Sequence, residues 1–171
     1  MGCFSSIEAF FFPPISLLAK IPPTAALAVF FVMVGTGTEM YVAMITFGIL
    51  PTLAQAVYAA AKEVPEELLY KASTLGASWD ELIWNVVWPH AFPKVLDAVR
   101  LQLGPAMVYL IAAEMVCSEV GFGFRIRLES RKLNMSLVYP YLGLLASFGF
   151  AMDYGLRRLQ RATCPWYTPS E

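Results

Sequence analysis

The chain has 171 residues, a formal net charge of −1, 58% hydrophobic and 15% charged residues, and a mean hydropathy of +0.59. Soluble domains carry roughly 25% charged and about 45–50% apolar residues, so this balance argues against an ordinary water-soluble core. The near-zero charge gives no case for nucleic acid as a partner. Apolar residues are clustered in runs, which is the pattern of a membrane protein. The three cysteines, Cys3, Cys117 and Cys164, are far apart and fit neither a metal spacing nor a disulfide framework, so free thiols are expected.

The first residues carry several weak signals. Met1-Gly2 with Ser6 matches a crude myristoylation pattern. No basic segment followed by a small-residue cleavage site marks a signal peptide. Pro13-Pro14 and Pro22-Pro23 bracket a short apolar segment that suits the interface, with Lys20 snorkelling. A first span is expected over about 22–36, ending at Gly35-Thr36-Gly37. It is short for a bilayer of roughly 30 Å and must borrow residues from the preceding segment or end within protein. A second span, about 39–61, is long enough and carries no charge after Glu39. Pro51 should kink it, and Gln55 must find a partner inside a bundle or on a solute pathway.

A polar island follows over 62–94. Glu63, Glu66 and Glu67 crowd the start of a short helix, where carboxylates complement the helix dipole, and Pro65 suits its first turn. Gly76 stands where that helix should end in the left-handed conformation. Ser78-Trp79-Asp80-Glu81 has the spacing of a capping box opening a second helix. Pro89 and Pro93 are expected to stop it. A mere connection is usually about 2–8 residues, so an island of this length with coherent caps reads as a rigid knuckle. Its acid-rich first helix would be repelled by phosphate, which disfavours DNA. The reading that remains beside a plain solvated loop is a docking element. Gly76, Ala77 and Ser78 permit close approach, and Leu75 and Trp79 offer apolar contact.

A third span over 95–117 is loaded with Asp97, Arg100, Gln102, Gly104-Pro105 and Glu114. Asp97 and Arg100 lie three apart, as an interfacial pair would. Gly104-Pro105 should bend the helix. Glu114 lies deeper, as a helix-locking or pathway acid. Residues 118–134 form a polar loop beginning near Gly121 and Gly123, and a basic loop on the far side would fold back onto the bundle. The fourth span, 135–156, holds Asp153, and the tail ends in the aromatic anchor Trp166-Tyr167. The fold class is therefore all-α integral membrane, a single multi-span helical bundle over 1–171 with a helix-turn-helix loop. With the island in the cytoplasm, that side holds Lys20, Lys62, Lys71, Lys94, Arg100, Arg157, Arg158 and Arg161. The far side holds Arg125, Arg127, Arg131 and Lys132, so the positive-inside rule favours this topology.

The chain has no HExxH, CxxC, phosphate-binding glycine loop or GxSxG. Its lone histidine, His90, lies between Pro89 and Pro93 with no catalytic company in sequence. No metal or cofactor is expected, and no Walker lysine is present. Energy from ATP must then be supplied by another protein.

Tyr70-Lys71-Ala72, three residues, Gly76, nine residues, then Val86-Val87-Trp88-Pro89 resembles the EAA loop of bacterial ABC importer permeases. That pattern is Glu-Ala-Ala, three residues, Gly, nine residues, Ile, one residue, Leu-Pro. Ala72, Gly76 and Pro89 fall in register and Val86 replaces Ile, whereas Tyr70, Lys71 and Trp88 depart. Ile21-Pro22-Pro23-Thr24-Ala25, Leu75-Gly76-Ala77-Ser78, Val99-Arg100-Leu101, Ala113-Glu114-Met115, Gly121-Phe122-Gly123 and Pro165-Trp166 look like landmarks of the nitrate/sulfonate/taurine branch, in order.

The resemblance implies the MetI-like permease fold, a bacterial inner-membrane location and no ATPase site in this chain. It implies that Ala72, Leu75, Gly76, Ala77, Ser78 and Pro89 face a cytoplasmic ATPase subunit that binds the ATP. A periplasmic or lipid-anchored solute-binding protein and a second permease subunit, as a homodimer, complete the expected partners. The solute would be small and polar, of nitrate, sulfonate, taurine or related nitrogen-compound type. Permeases of the branch carry one or two further N-terminal spans, so a fragment, or a truncated or non-transporting membrane assembly subunit, is the alternative expectation.

Overall fold

The computed structural model describes residues 5–35 and 37–167. The myristoylation pattern at Met1-Gly2, Cys3 and the central Thr36 of the glycine turn lie outside them. The described residues form α1 (Ser5–Leu18), α2 (Leu27–Val34), α3 (Thr38–Lys62), α4 (Glu66–Thr74) and α5 (Trp79–Leu82). A π turn over Ile83–Val87 leads into α6 (Trp88–Leu101), α7 (Leu103–Cys117), α8 (Phe122–Arg131) and α9 (Met135–Thr163).

Three helical runs are long and apolar enough to cross a membrane: Thr38–Lys62, Trp79–Cys117 and Met135–Thr163. At 1.5 Å per residue, 25 residues reach about 37 Å, more than the roughly 30 Å of hydrocarbon. The span expected over 22–36 is instead the eight-residue α2, about 12 Å long, preceded by turns over Thr24–Leu27. Pro22 and Pro23 break the helix that would have joined it to α1. Pro23 packs against Gly48, midway along α3.

The long runs alternate in direction, and their contacts progress in order. Met40 and Met44 of α3, both fully buried, meet Ala113 of α7. Further along, Tyr109 lies where a side chain at Gly48 would stand, with ring atoms 2.5 Å from that Cβ position. Leu50, Ala54 and Tyr58 then face Val87, Ala91 and Val95 across an apolar cavity of about 500 Å³. Along α9, Gln160 meets Pro93, Asp153 meets Arg100, Gly149 meets Met107, and Tyr141 stacks edge-on with Phe122. The bundle thus has an island end and an opposite end carrying α8. Apolar residues are turned outward, with Phe150 72% and Val32 82% exposed, as a bilayer rather than water requires.

Pro51 stays inside α3, and the Thr52 hydroxyl beside it donates to the Ile49 carbonyl at 2.9 Å. The expected bend at Gly104-Pro105 falls at Gln102, with Pro105 in the first turn of α7, where a missing N–H costs nothing. Pro89 and Pro93, by contrast, do not stop the second island helix. Pro93 lies inside α6, and in the π turn before Pro89 the bonds span five residues, the Trp88 N–H reaching the Ile83 carbonyl. That wider turn relieves the carbonyl that a proline ring would otherwise strike. The island's second helix is therefore the first part of the Trp79–Cys117 run, not a separate element.

Residues 118–134 are not a loop throughout. Most of them form α8, folded back against α7 and α9.

Candidate coupling site

Local chemistry fixes the knuckle between α4 and α5. Gly76 adopts φ +85°, where glycine alone is unstrained. The Gly76 N–H donates to the Ser73 carbonyl at 3.0 Å and the Ala77 N–H to the Ala72 carbonyl at 3.2 Å. Together these bonds complete a Schellman motif closing α4. One residue later the capping box of α5 is complete: the Glu81 N–H donates to Ser78 Oγ, and the Ser78 N–H donates to Glu81 Oε2 at 2.8 Å. The bond from the Ser78 amide, with its hydroxyl, holds the Glu81 carboxyl below the usual carboxylate range. Pro65 serves as the N-cap of α4, one position before the expected first turn.

The site residues predicted from the sequence divide by position. Leu75, Gly76 and Ser78 are exposed at the tip, with Leu75 89% exposed. Nothing lies within 4 Å of where a Gly76 side chain would start, so the space above the turn is open. Ala72 and Ala77 are half-buried on the inner side, and Pro89 is half-buried in α6 beyond the π turn. Tyr70 and Trp79, 68% and 69% exposed, flank the tip. Beneath the knuckle, α4 stands off the bundle over a cavity of about 610 Å³ lined by Glu66, Leu69, Tyr70, Ala77, Trp79 and Leu82 among others. Buried Leu82 and Val64 anchor the two ends of this arch.

The base of the island is clamped by contacts that no local pattern announces. Lys94 Nζ lies 2.5 Å from Glu63 Oε2, and this bond holds the Glu63 carboxyl low. Buried Gln160 donates through Nε2 to the Pro93 carbonyl at 3.0 Å. The expected Asp97–Arg100 pair is present at 3.2 Å, but Arg100 also reaches Asp153 at 3.0 Å, and Asp153 holds Arg157 at 2.8 Å. Tyr167 joins through Asp97; its phenol is pushed up by burial first and by the hydrogen bond to Asp97 second. On α3, Lys62 and Tyr58 both bind Glu8 of α1, the lysine at 2.7 Å. Sequence reasoning missed Gln160, Glu8 and the Arg100–Asp153 bridge, because partners up to 67 positions apart leave no local spacing to read.

Glu114 and Gln55 part company. Glu114 Oε2 accepts from the Gly123 N–H at 2.7 Å, at the first turn of α8. Gly121, the N-cap at φ +106°, and Gly123 both lie where a side chain would strike α7: a Cβ at 121 would stand 2.6 Å from the Glu114 carboxyl, and one at 123 would stand 2.6 Å from the Ile111 carbonyl oxygen. The Gly-Phe-Gly segment is thus the socket of a carboxylate at a helix N-terminus. Gln55 is half-buried on α3 and makes no hydrogen bond among the described residues. His90 is half-buried on α6, one turn before Lys94.

An antiparallel bundle of bilayer-length helices, with a polar, self-capped knuckle projecting from one end, defines a membrane-spanning helical protein. The comparison with known families agrees. Over residues 4–163 the chain matches the family described as binding-protein-dependent transport system inner membrane component, and it belongs to that family. It is 30% identical over 167 residues to the taurine transport system permease protein of Escherichia coli (strain K12), covering 98% of this chain and 61% of the relative. It is 32% identical over 120 residues to the ergothioneine transport permease/ergothioneine binding protein of Helicobacter pylori (strain G27), covering 70% of this chain and 21% of that protein. A bicarbonate transport system permease protein of Synechocystis is 27% identical over 105 residues, covering 61% of this chain and 38% of the relative. The chain spans about three fifths of the length of the curated relatives that it matches over nearly its whole extent, 61% and 62% in two of them.

Proposed function

We propose that this chain is the permease subunit of an ATP-driven importer for a small polar solute of taurine, sulfonate or bicarbonate type. A separate ATPase subunit drives it through the knuckle at Leu75–Ser78, which faces the cytoplasm. A solute-binding protein delivers the cargo, and a second copy of the chain completes the pathway. The observation that carries this reading is the exposed tip, whose turn amides are satisfied from within the island. A surface with no backbone demands of its own and with Leu75 fully presented suits a groove on a partner. The π turn joins the tip to α6 without a break, so a push at Leu75 is carried along the helix to Gln102.

The relatives' names supply the solute class, and family membership supplies the importer setting. The test is Leu75→Asp in the chain co-expressed with an ATPase subunit. Leu75 supports nothing inside the bundle, so membrane insertion and helicity are expected to hold. Co-purification of the ATPase and solute uptake are expected to fall about tenfold or more, as loss of an apolar anchor from an interface does. Unchanged uptake by an assembled Leu75→Asp complex would refute the docking role.

A further inference from the structure

Past the apolar part of α9, Tyr154, Arg157, Arg158 and Arg161 line one cavity of about 350 Å³. Their spacing of three, four and seven puts them on one helical face. All four are exposed. Among the described residues, Arg158 and Arg161 have no carboxylate partner, while Arg157 shares Asp153 with Arg100. Counting those five charged groups with Asp97, four cations face two anions, so the cluster keeps an excess of two positive charges. The same outward stripe continues one turn toward the bilayer as Phe150, 72% exposed, and exposed Trp166 lies at the same end of the bundle.

The helix dipole accounts for cations near the end of α9. It does not account for three guanidiniums and a phenol converging on one outward cavity directly below an apolar stripe. We propose that this cavity is a binding site for the headgroup of an anionic phospholipid in the leaflet on the island side. Arg158 and Arg161 take the phosphate through paired N–H donors, and Arg157, held by Asp153, forms the wall. The Tyr154 hydroxyl bonds the headgroup, and the acyl chains run along Phe150. The apolar stripe at Phe150, one turn from the arginines, favours a lipid over a free anion, because it gives acyl chains a surface beside the charge. This site is independent of the importer reading, and its failure would leave that reading untouched.

The experiment is native mass spectrometry of the full chain released from micelles doped with equal phosphatidylglycerol and phosphatidylcholine. The wild-type chain is expected to retain phosphatidylglycerol at least fivefold over phosphatidylcholine. Arg158→Gln with Arg161→Gln is expected to bring that ratio close to one, with helicity unchanged by circular dichroism. The control Arg125→Gln with Arg131→Gln removes the same charge at the opposite end and is expected to keep the preference. Arg158→Lys with Arg161→Lys is expected to keep part of it, which separates lost charge from lost folding. Equal retention by the Gln pair, an equal loss in the control, no lipid preference in the wild type, or full displacement by inorganic phosphate at constant ionic strength would each overturn the assignment.

Discussion

The two ends of the bundle are built on opposite principles. At the island end, the knuckle is assembled from neighbours in sequence: Gly76 with Ser73 and Ala72, Ser78 with Glu81. It stands off the bundle and would keep its shape if the bundle shifted. At the other end, α8 is held by tertiary contact. Gly121 and Gly123 press against α7, and Glu114 bonds the first turn of α8 from within a span. One end is a self-contained projection and the other a fitted lid. A projection capped by its own neighbours is rigid alone, whereas an element that closes a bundle gains from being seated in it.

The contrast breaks most visibly at Gly123. Gly123→Val places a side chain 2.6 Å from the Ile111 carbonyl oxygen, where backbone cannot yield. A loss of about 3 kcal/mol is expected, read as a lower midpoint of thermal unfolding in detergent, with proteolysis appearing first in α8. A midpoint within one degree of the parent would show that α8 is not seated as described. Next in size is Glu114→Ala, which leaves the Gly123 amide unpaired. About 2 kcal/mol should be lost, with faster amide exchange at Gly123 and none at the knuckle. Equal exchange changes at both ends would erase the distinction between them.

The smallest effect belongs to the knuckle itself. Glu81 has its pKa lowered by the bond from the Ser78 amide, so the cap is fully present above the ordinary carboxylate value of 4.5. Its contribution is lost as pH falls through the lower folded value. Amide exchange at Ser78, corrected for intrinsic rate, is therefore expected to stay flat from pH 8 to 5 and rise only under acid. A rise between pH 8 and 6 would point to another group.

The same division decides what could be read in the sequence. The knuckle was legible because Gly76, Ser78 and Glu81 each bond a partner three positions away, and helix length and apolarity marked three runs that could cross a membrane. The short α2 was not legible. Its residues are as apolar as a span, and only the turns around Pro22 and Pro23 cut it to eight. Pro89 misled for a related reason: a proline stops an α-helix, but the π turn before it changes the bond register. The clamp of Gln160 on Pro93 and of Asp153 on Arg100 depends on which helices pack together, which no spacing encodes. Gly121 and Gly123 were visible as glycines near a loop, but their role as the socket for Glu114 emerged only with α7 beside them.

A photo-crosslinker placed at Leu75, 89% exposed at the knuckle tip, and separately at Leu133, 80% exposed at the opposite end, tests the central claim most directly. With the ATPase subunit co-expressed in intact membranes, the adduct is expected from position 75 and absent from 133. An adduct from 133 with none from 75 would contradict the assignment of the knuckle as the coupling site.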